Sequence, residues 1–218
     1  MAQTASFACD LTEIYDSKMS GDAGRIIDIY DRYAELWDQD RPRILFEKSW
    51  LDRFLALLPV NGSVLDIGCG TAEPIARYII DAGHALAGVD SSPTMIDICN
   101  RRFPKHDWRV ADMRALSLAA KFNGLVAWDS FFHLTHDAQR RMFPIFRMHA
   151  APNAAVMFTS GPSCGESIGR YRGESLYHSS LDEAEYISLL NDNGFDVVAH
   201  VANDPECGRH TVWLARLG

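Results

Sequence analysis

The chain has no hydrophobic run long enough to cross a bilayer; its longest apolar stretches are strand-sized. Nor does it have a run of basic residues, since Arg101-Arg102 and Arg140-Arg141 are isolated pairs that read as solvated helix faces. Against 21 basic residues stand 29 acidic ones, a formal charge of −8 over 218 residues, whereas a nucleic-acid partner ordinarily requires a basic stripe. The five cysteines, Cys9, Cys69, Cys99, Cys164 and Cys207, are scattered singly, with neither a zinc spacing nor a disulfide framework. Internal repeats, low-complexity linkers and a signal-peptide pattern are also lacking. These absences predict a soluble, cytoplasmic, reduced protein, monomeric or homodimeric. Its partner is then a small molecule rather than nucleic acid or membrane.

What is present is an alternation of helical and strand patterns. The first twenty residues are mixed and predict partial disorder. Residues 25–38 and 44–58 place apolar groups at helical spacing, and Pro59-Val60-Asn61-Gly62 turns the chain into a first strand. Strands then read at 63–67, 85–90, 107–111, 123–129, 154–160, 196–202 and 210–216, with helices at 74–82, 93–102, 136–150 and 181–193. Ser92-Pro93 reads as an N-cap with proline in the first turn, and Ser180-Leu181-Asp182-Glu183 as a capping box. The alternation predicts an α/β fold: a doubly wound, mostly parallel seven-stranded sheet with helices on both faces. The short connection 203–208 makes the last two strands an antiparallel C-terminal hairpin, because a parallel crossover needs a dozen or more residues. Residues 1–58 are expected to make an N-terminal helical lid segment and 59–218 the α/β domain.

The most informative stretch is Val64-Leu65-Asp66-Ile67-Gly68-Cys69-Gly70. A buried strand ends in a turn where Gly68 and Gly70, lacking Cβ, let a ligand approach the backbone closely. A dinucleotide fingerprint has a third glycine three residues later; here Glu73 and Pro74 stand instead. Carboxylates at both ends of the turn repel a pyrophosphate but suit a ligand that carries an ammonium and a sulfonium. Acids also close the next strands: Asp90, Asp112 and Asp129. Any one of them has a bland alternative as a helix N-cap or solvated loop residue. Four in register behind a Gly-x-Gly turn are hard to attribute to capping.

With these residues the chain resembles the class I S-adenosylmethionine (SAM)-dependent methyltransferases, by motif over about residues 60–160 and by topology to the C-terminal hairpin. The resemblance implies a Rossmann-like fold that binds SAM and releases S-adenosylhomocysteine (SAH). It implies cofactor contacts from Asp66, Gly68, Cys69, Gly70 and Asp129, with Asp90 and Ser91 at the ribose and Asp112 and Met113 at the adenine. Ala72 stands where the family often has glycine. Tyr30-x-x-Tyr33-x-x-x-Trp37 looks like the lid helix of small-molecule members, placing Tyr33 over the cofactor; an aromatic stripe packed on the sheet is the alternative. Arg41 is expected to meet the methionine carboxylate, or else to be a surface arginine.

After the fourth strand comes Trp128-Asp129-Ser130-Phe131-Phe132-His133-Leu134-Thr135-His136. Trp128 and Phe132 predict a water-poor wall for the methyl acceptor, with His133 and His136 as candidate bases. The alternatives are a His133 that bonds loop carbonyls and an exposed His136. A metal site from Asp129, His133 and His136 lacks an obvious further ligand and is not expected. Residues 161–178 read as a long loop, with Arg170, Tyr171, Arg172, Tyr177 and His178 as candidate acceptor-binding groups. His210 is expected to approach the same cleft. The function implied is methyl transfer to oxygen, nitrogen or sulfur of a small polar metabolite by in-line displacement. A non-catalytic SAM-binding regulatory module is the alternative, and a nicotinamide-dependent oxidoreductase a weaker one.

Overall fold

A computed structural model describes residues 21–218. The expectation for the first twenty residues therefore lies outside the described part. Residues 21–32 (α1) are helical, the chain turns at Tyr33, and Ala34–Asp40 (α2) and Lys48–Leu55 (α3) follow. The alternating part comprises Ser63–Ile67 (β1), Ile75–Asp81 (α4), Ala85–Asp90 (β2), Pro93–Arg102 (α5), Asp107–Val110 (β3) and Phe122–Ala127 (β4). It continues through His136–His149 (α6), Ala150–Ser160 (β5), Gly165–Tyr171 (β6), Glu174–Ser180 (β7), Glu183–Asp192 (α7), Phe195–Asp204 (β8) and His210–Leu217 (β9).

Seven strands form one sheet in the order β3-β2-β1-β4-β5-β9-β8. The first five strands of that order pair in parallel, and β9 runs antiparallel to both β5 and β8. The order reverses between β1 and β4, which opens a crevice at their carboxyl ends. Side chains alternate along each strand, so the sheet feeds two cores. Leu65, Ile67, Val156, Phe158, Trp213 and Ala215 point to one, with Phe143, Phe146 and Tyr186. Val64, Ala155, Met157, Val212 and Leu214 point to the other, with Trp50, Phe54, Ile75 and Ile79.

The segment read as a loop at 161–178 is mostly a hairpin. Strands β6 and β7 pair antiparallel from Gly165↔Ser180 to Tyr171↔Glu174. Arg172 and Gly173 both have positive φ, 49° and 87°, as a two-residue type I′ turn requires. The capping reading at Ser180 also shifts: Ser180 ends β7, and the carboxylate of Asp182 caps α7 by accepting from the Glu185 amide. Gln139 of α6 fastens the hairpin, donating to the Ser179 carbonyl at 2.8 Å and accepting from the Tyr186 hydroxyl at 2.6 Å. Ile26 and Ile29 of α1 pack on Leu176 and Tyr177, so the hairpin in turn seats the N-terminal helix. Among the described residues no helix is long and apolar enough to cross a membrane.

Candidate active site

The glycine turn is stitched to both neighbouring strands. The Val89 carbonyl at the end of β2 accepts from the amides of Gly68 (2.8 Å) and Cys69 (3.0 Å). On the other side the Ser130 hydroxyl, just after β4, donates to the Ile67 carbonyl at 2.7 Å. Gly68 (φ 75°) and Gly70 (φ 53°) both hold left-handed conformations. A Cβ at Gly68 would sit 2.3 Å from that of Ser130, whereas one at Gly70 would meet nothing within 4 Å. Gly70 therefore borders open space, and Gly68 closes the floor.

That space is a cleft of about 270 Å³ at the switch in strand order. Its walls include Asp66, Gly68, Cys69, Gly70, Asp90, Ser91, Asp112, Met113 and Asp129, together with Arg41 and Trp128. Helix α1 closes it with Ala23, Gly24, Ile26, Ile27 and Tyr30, and Trp37 follows from α2. Two buried polar atoms on these walls, Thr71 Oγ1 and Trp128 Nε1, have no hydrogen-bond partner among the described residues. Buried polar groups are normally paired, so both atoms keep an unmet bonding capacity in the wall.

The carboxylates of the cleft differ in what they already hold. Asp90 accepts from the Gly70 amide through Oδ2 and from the Ser92 amide through Oδ1, both at 2.9 Å. One lone pair remains on each oxygen for a ligand diol. Burial lifts its pKa, and those two amides oppose the rise. Asp66 is buried, and desolvation together with the Asp90 charge pushes its pKa up to about 7. A cationic ligand group would relieve that cost. Asp112 is occupied: it caps a short 3₁₀ turn and grips Arg114 through both oxygens. Asp129 is occupied as well, by Arg41 at 3.1 Å and His210 at 2.9 Å. Burial would raise the Asp129 pKa, but the bond and charge of His210, then those of Arg41, hold it below the ordinary carboxylate range.

His133 lies in the cleft wall and is buried. Its Nδ1 meets the Tyr177 carbonyl at 2.8 Å and its Nε2 the Tyr30 hydroxyl at 2.9 Å. Burial, then the neighbouring His178, pulls its pKa down to about 4.

Several expected residues stand elsewhere. Tyr33 is not in the cleft wall; the helix turns there, and its ring packs on Tyr171, leaving Tyr30 and Trp37 facing the cavity. His136 opens α6 outside the cleft, 3.3 Å from the Gly165 carbonyl. None of Phe132, Arg170, Tyr171, Arg172, Tyr177 and His178 lines the cavity: Phe132 sits in the short 3₁₀ turn after β4, and the β6–β7 hairpin turns the other five to other tasks. Phe132 and His178 pack on His133, Tyr177 bonds Glu166, and Tyr171 and Arg172 bind Asp40 of α2. Arg170 is exposed. His210 stands behind the wall, stacked between Phe46 and Trp128. A residue without a sequence signal is Asp31 of α1, which accepts from the Ser92 hydroxyl and the Thr94 amide and so ties α1 to the start of α5.

Comparison with known families places this geometry. Residues 64–153, from β1 to the start of β5, match the family described as "Methyltransferase domain". The match covers 90 of the 218 residues. Over 102 residues the chain is 28% identical to dTDP-4-amino-2,3,4,6-tetradeoxy-D-glucose N,N-dimethyltransferase of Saccharopolyspora spinosa, covering 46% of this chain and 41% of that protein. An uncharacterized methyltransferase-like protein of Schizosaccharomyces pombe is 24% identical over 166 residues, 71% of this chain and 61% of its own length. The alignments thus span less than two thirds of each of these relatives.

Among solved structures, a SAM-bound amino pentose methyltransferase from Micromonospora echinaspora superposes with a TM-score of 0.66 at 15% identity, covering all of both chains. The Burkholderia thailandensis 1,6-didemethyltoxoflavin-N1-methyltransferase, solved with its substrate and SAH, gives 0.64 at 19% identity, covering 100% of this chain and 92% of that one. The matched segment and its flanking elements therefore share the fold of these two methyltransferases, N-terminal helices and C-terminal hairpin included.

Proposed function

We propose that the protein is a SAM-dependent methyltransferase acting on a nucleophilic nitrogen or oxygen of a small molecule. The observation that carries the reading is the composition of one small cleft. A glycine turn, a diol-ready Asp90 and the unpaired Asp66 lie at its floor, and the neutral Tyr30–His133 pair lies in its wall. In this reading Asp90 takes the ribose hydroxyls, Met113 and the Asp112 turn flank the adenine, Asp66 faces the ammonium, and Arg41 faces the carboxylate. SAM supplies the methyl group. Helices α1 and α2 act as the lid, and the cavity they leave suits a metabolite rather than a polymer.

Beyond the cofactor, Tyr30 presents its hydroxyl oxygen to the acceptor while its proton points at His133 Nε2. Neither side chain is charged at neutral pH: burial, then the Asp129 and Asp90 charges, keeps Tyr30 protonated, and His133 is neutral. The pair can take a proton from a hydroxyl or ammonium acceptor as the bond to the methyl carbon forms. The names of similar proteins, an amino-sugar dimethyltransferase and an amino pentose methyltransferase, make amino sugars the first acceptors to try. Incubation with methyl-labelled SAM and a panel of amino-sugar nucleotides, phenols and amines tests the reading. Label in one small product supports it. SAH binding without transfer to any panel member favours the regulatory alternative.

A further inference from the structure

Arg41, in the cleft wall, faces two carboxylates at once. Its Nη2 lies 2.9 Å from Glu47 Oε1 and its Nη1 3.1 Å from Asp129 Oδ2. Glu47 is fully buried, and its other oxygen has no partner among the described residues. The second oxygen of Asp129 meets His210 Nε2 at 2.9 Å, and His210 Nδ1 meets the Cys207 carbonyl at 2.9 Å. An ionised carboxylate and a carbonyl can only accept, so both ring nitrogens carry hydrogens and His210 is an imidazolium. Phe46 and Trp128 cover its two faces at 5.3 and 5.5 Å, an arrangement that favours a cation.

Among the described residues the charged and titratable groups around His210 are Asp129 in front, Glu47 beside it, Arg41 through Asp129, and, in its own turn, the Cys207 thiol with Asp204 and the exposed Glu206 and Arg209. With the imidazolium present, two cations balance two carboxylates. Without it, the cluster carries one excess negative charge beside the place where the cofactor's carboxylate would dock.

We propose that His210 is a positioning residue for the cofactor. When protonated, it holds and neutralises Asp129 from behind and leaves Arg41 able to receive a further carboxylate; when neutral, it leaves Asp129 to repel that carboxylate. The inference rests on the SAM reading and adds to it a charge linkage from β9 to the cofactor. Burial works against the imidazolium, but the bond and charge of Asp129 lift the His210 pKa above its ordinary 6.5. The linkage therefore acts as pH rises past that ordinary value.

The test compares SAH with its decarboxylated form, S-adenosyl-3-thiopropylamine, which keeps the adenosine, thioether and ammonium but has no carboxylate. Calorimetric affinities for both are measured from pH 6 to 8.5, with histidine resonances followed by NMR over the same range. The expected result is a ratio of SAH to S-adenosyl-3-thiopropylamine affinity that falls about tenfold as His210 deprotonates, the linkage for one unit of pKa coupling. His210→Gln should hold the ratio low and flat. Glu47→Gln, which removes one carboxylate from beside Arg41, should raise it at pH 8.5, and this serves if His210→Gln does not fold. A ratio that stays flat in the unaltered protein while both ligands bind overturns the inference and spares the cofactor reading. Failure of both ligands to bind overturns the two together.

Discussion

The Tyr30 hydroxyl lies 2.9 Å from His133 Nε2, and the opposite ring nitrogen of His133 lies 2.8 Å from the Tyr177 carbonyl. A carbonyl only accepts, so Nδ1 carries the hydrogen, Nε2 is the acceptor, and Tyr30 donates. The tautomer of the buried histidine is thus fixed by β7, and the residue it serves comes from α1. His133 should remain neutral down to about pH 4. Its folded pKa is below the ordinary 6.5, so the unfolded chain binds the extra proton first. Stability is therefore present above pH 6.5 and drains away as pH falls through 4, by up to roughly 3 kcal/mol from this group. Two-bond nitrogen–proton NMR spectra should show a neutral Nδ1–H tautomer at pH 6. Tyr30→Phe should leave SAH affinity within a few-fold but slow methyl transfer roughly a hundredfold or more. Unchanged turnover in Tyr30→Phe would mean the acceptor needs no proton removed.

Gly68 and Gly70 should respond differently to alanine. At Gly68 the added carbon lands on Ser130, whose hydroxyl stitches β4 to β1, and the φ of 75° is strained for any side chain. Gly68→Ala should lower the melting temperature and abolish SAH binding. At Gly70 the added carbon enters open cleft, so Gly70→Ala carries a conformational cost of only about 1–2 kcal/mol and loses cofactor affinity by occupying its space. Melting curves with and without SAH separate the two. Equal loss of fold in both variants would contradict the assignment of Gly70 to the cleft.

Asp66 should make the ligand-free protein less stable as pH rises. Its pKa is lifted to about 7, so the folded state holds a proton that the unfolded state releases near pH 4. Stability is full below about 4 and is lost as pH climbs through 7, by at most about 4 kcal/mol. Asp66→Asn removes this slope. Its advantage over the unaltered protein should grow from pH 5 to pH 8 in denaturant titrations, while its SAH affinity falls. A constant difference across that range would show that Asp66 is ionised throughout.

The sheet was legible because its strands are short β-branched and aliphatic runs between helical patterns, and the glycine turn located the crevice. The hairpin at 165–180 was not, because most of β6 is exposed and polar on both faces, so no apolar alternation announces a strand. The signal was the Arg172-Gly173 turn. Tyr33 and Tyr30 are both on the aromatic stripe, and only the break in helical geometry at Tyr33 decides which ring faces the cleft. All four strand-end acids stand where the pattern put them. What local spacing could not reveal is that Asp129 is claimed by Arg41 and His210, 88 and 81 residues away, while Asp90 keeps its capacity.

In the proposed reading the cleft at the β1–β4 switch takes SAM. Isothermal titration of the purified protein with SAH, and separately with NADH, tests it directly. The expected outcome is saturable one-to-one binding of SAH, a melting temperature that rises with SAH concentration, and no heat with NADH. Saturation at a hundredfold excess over the dissociation constant corresponds to about 2.7 kcal/mol of stabilisation. Absence of SAH binding at millimolar concentration, or saturable binding of NADH in its place, would contradict it.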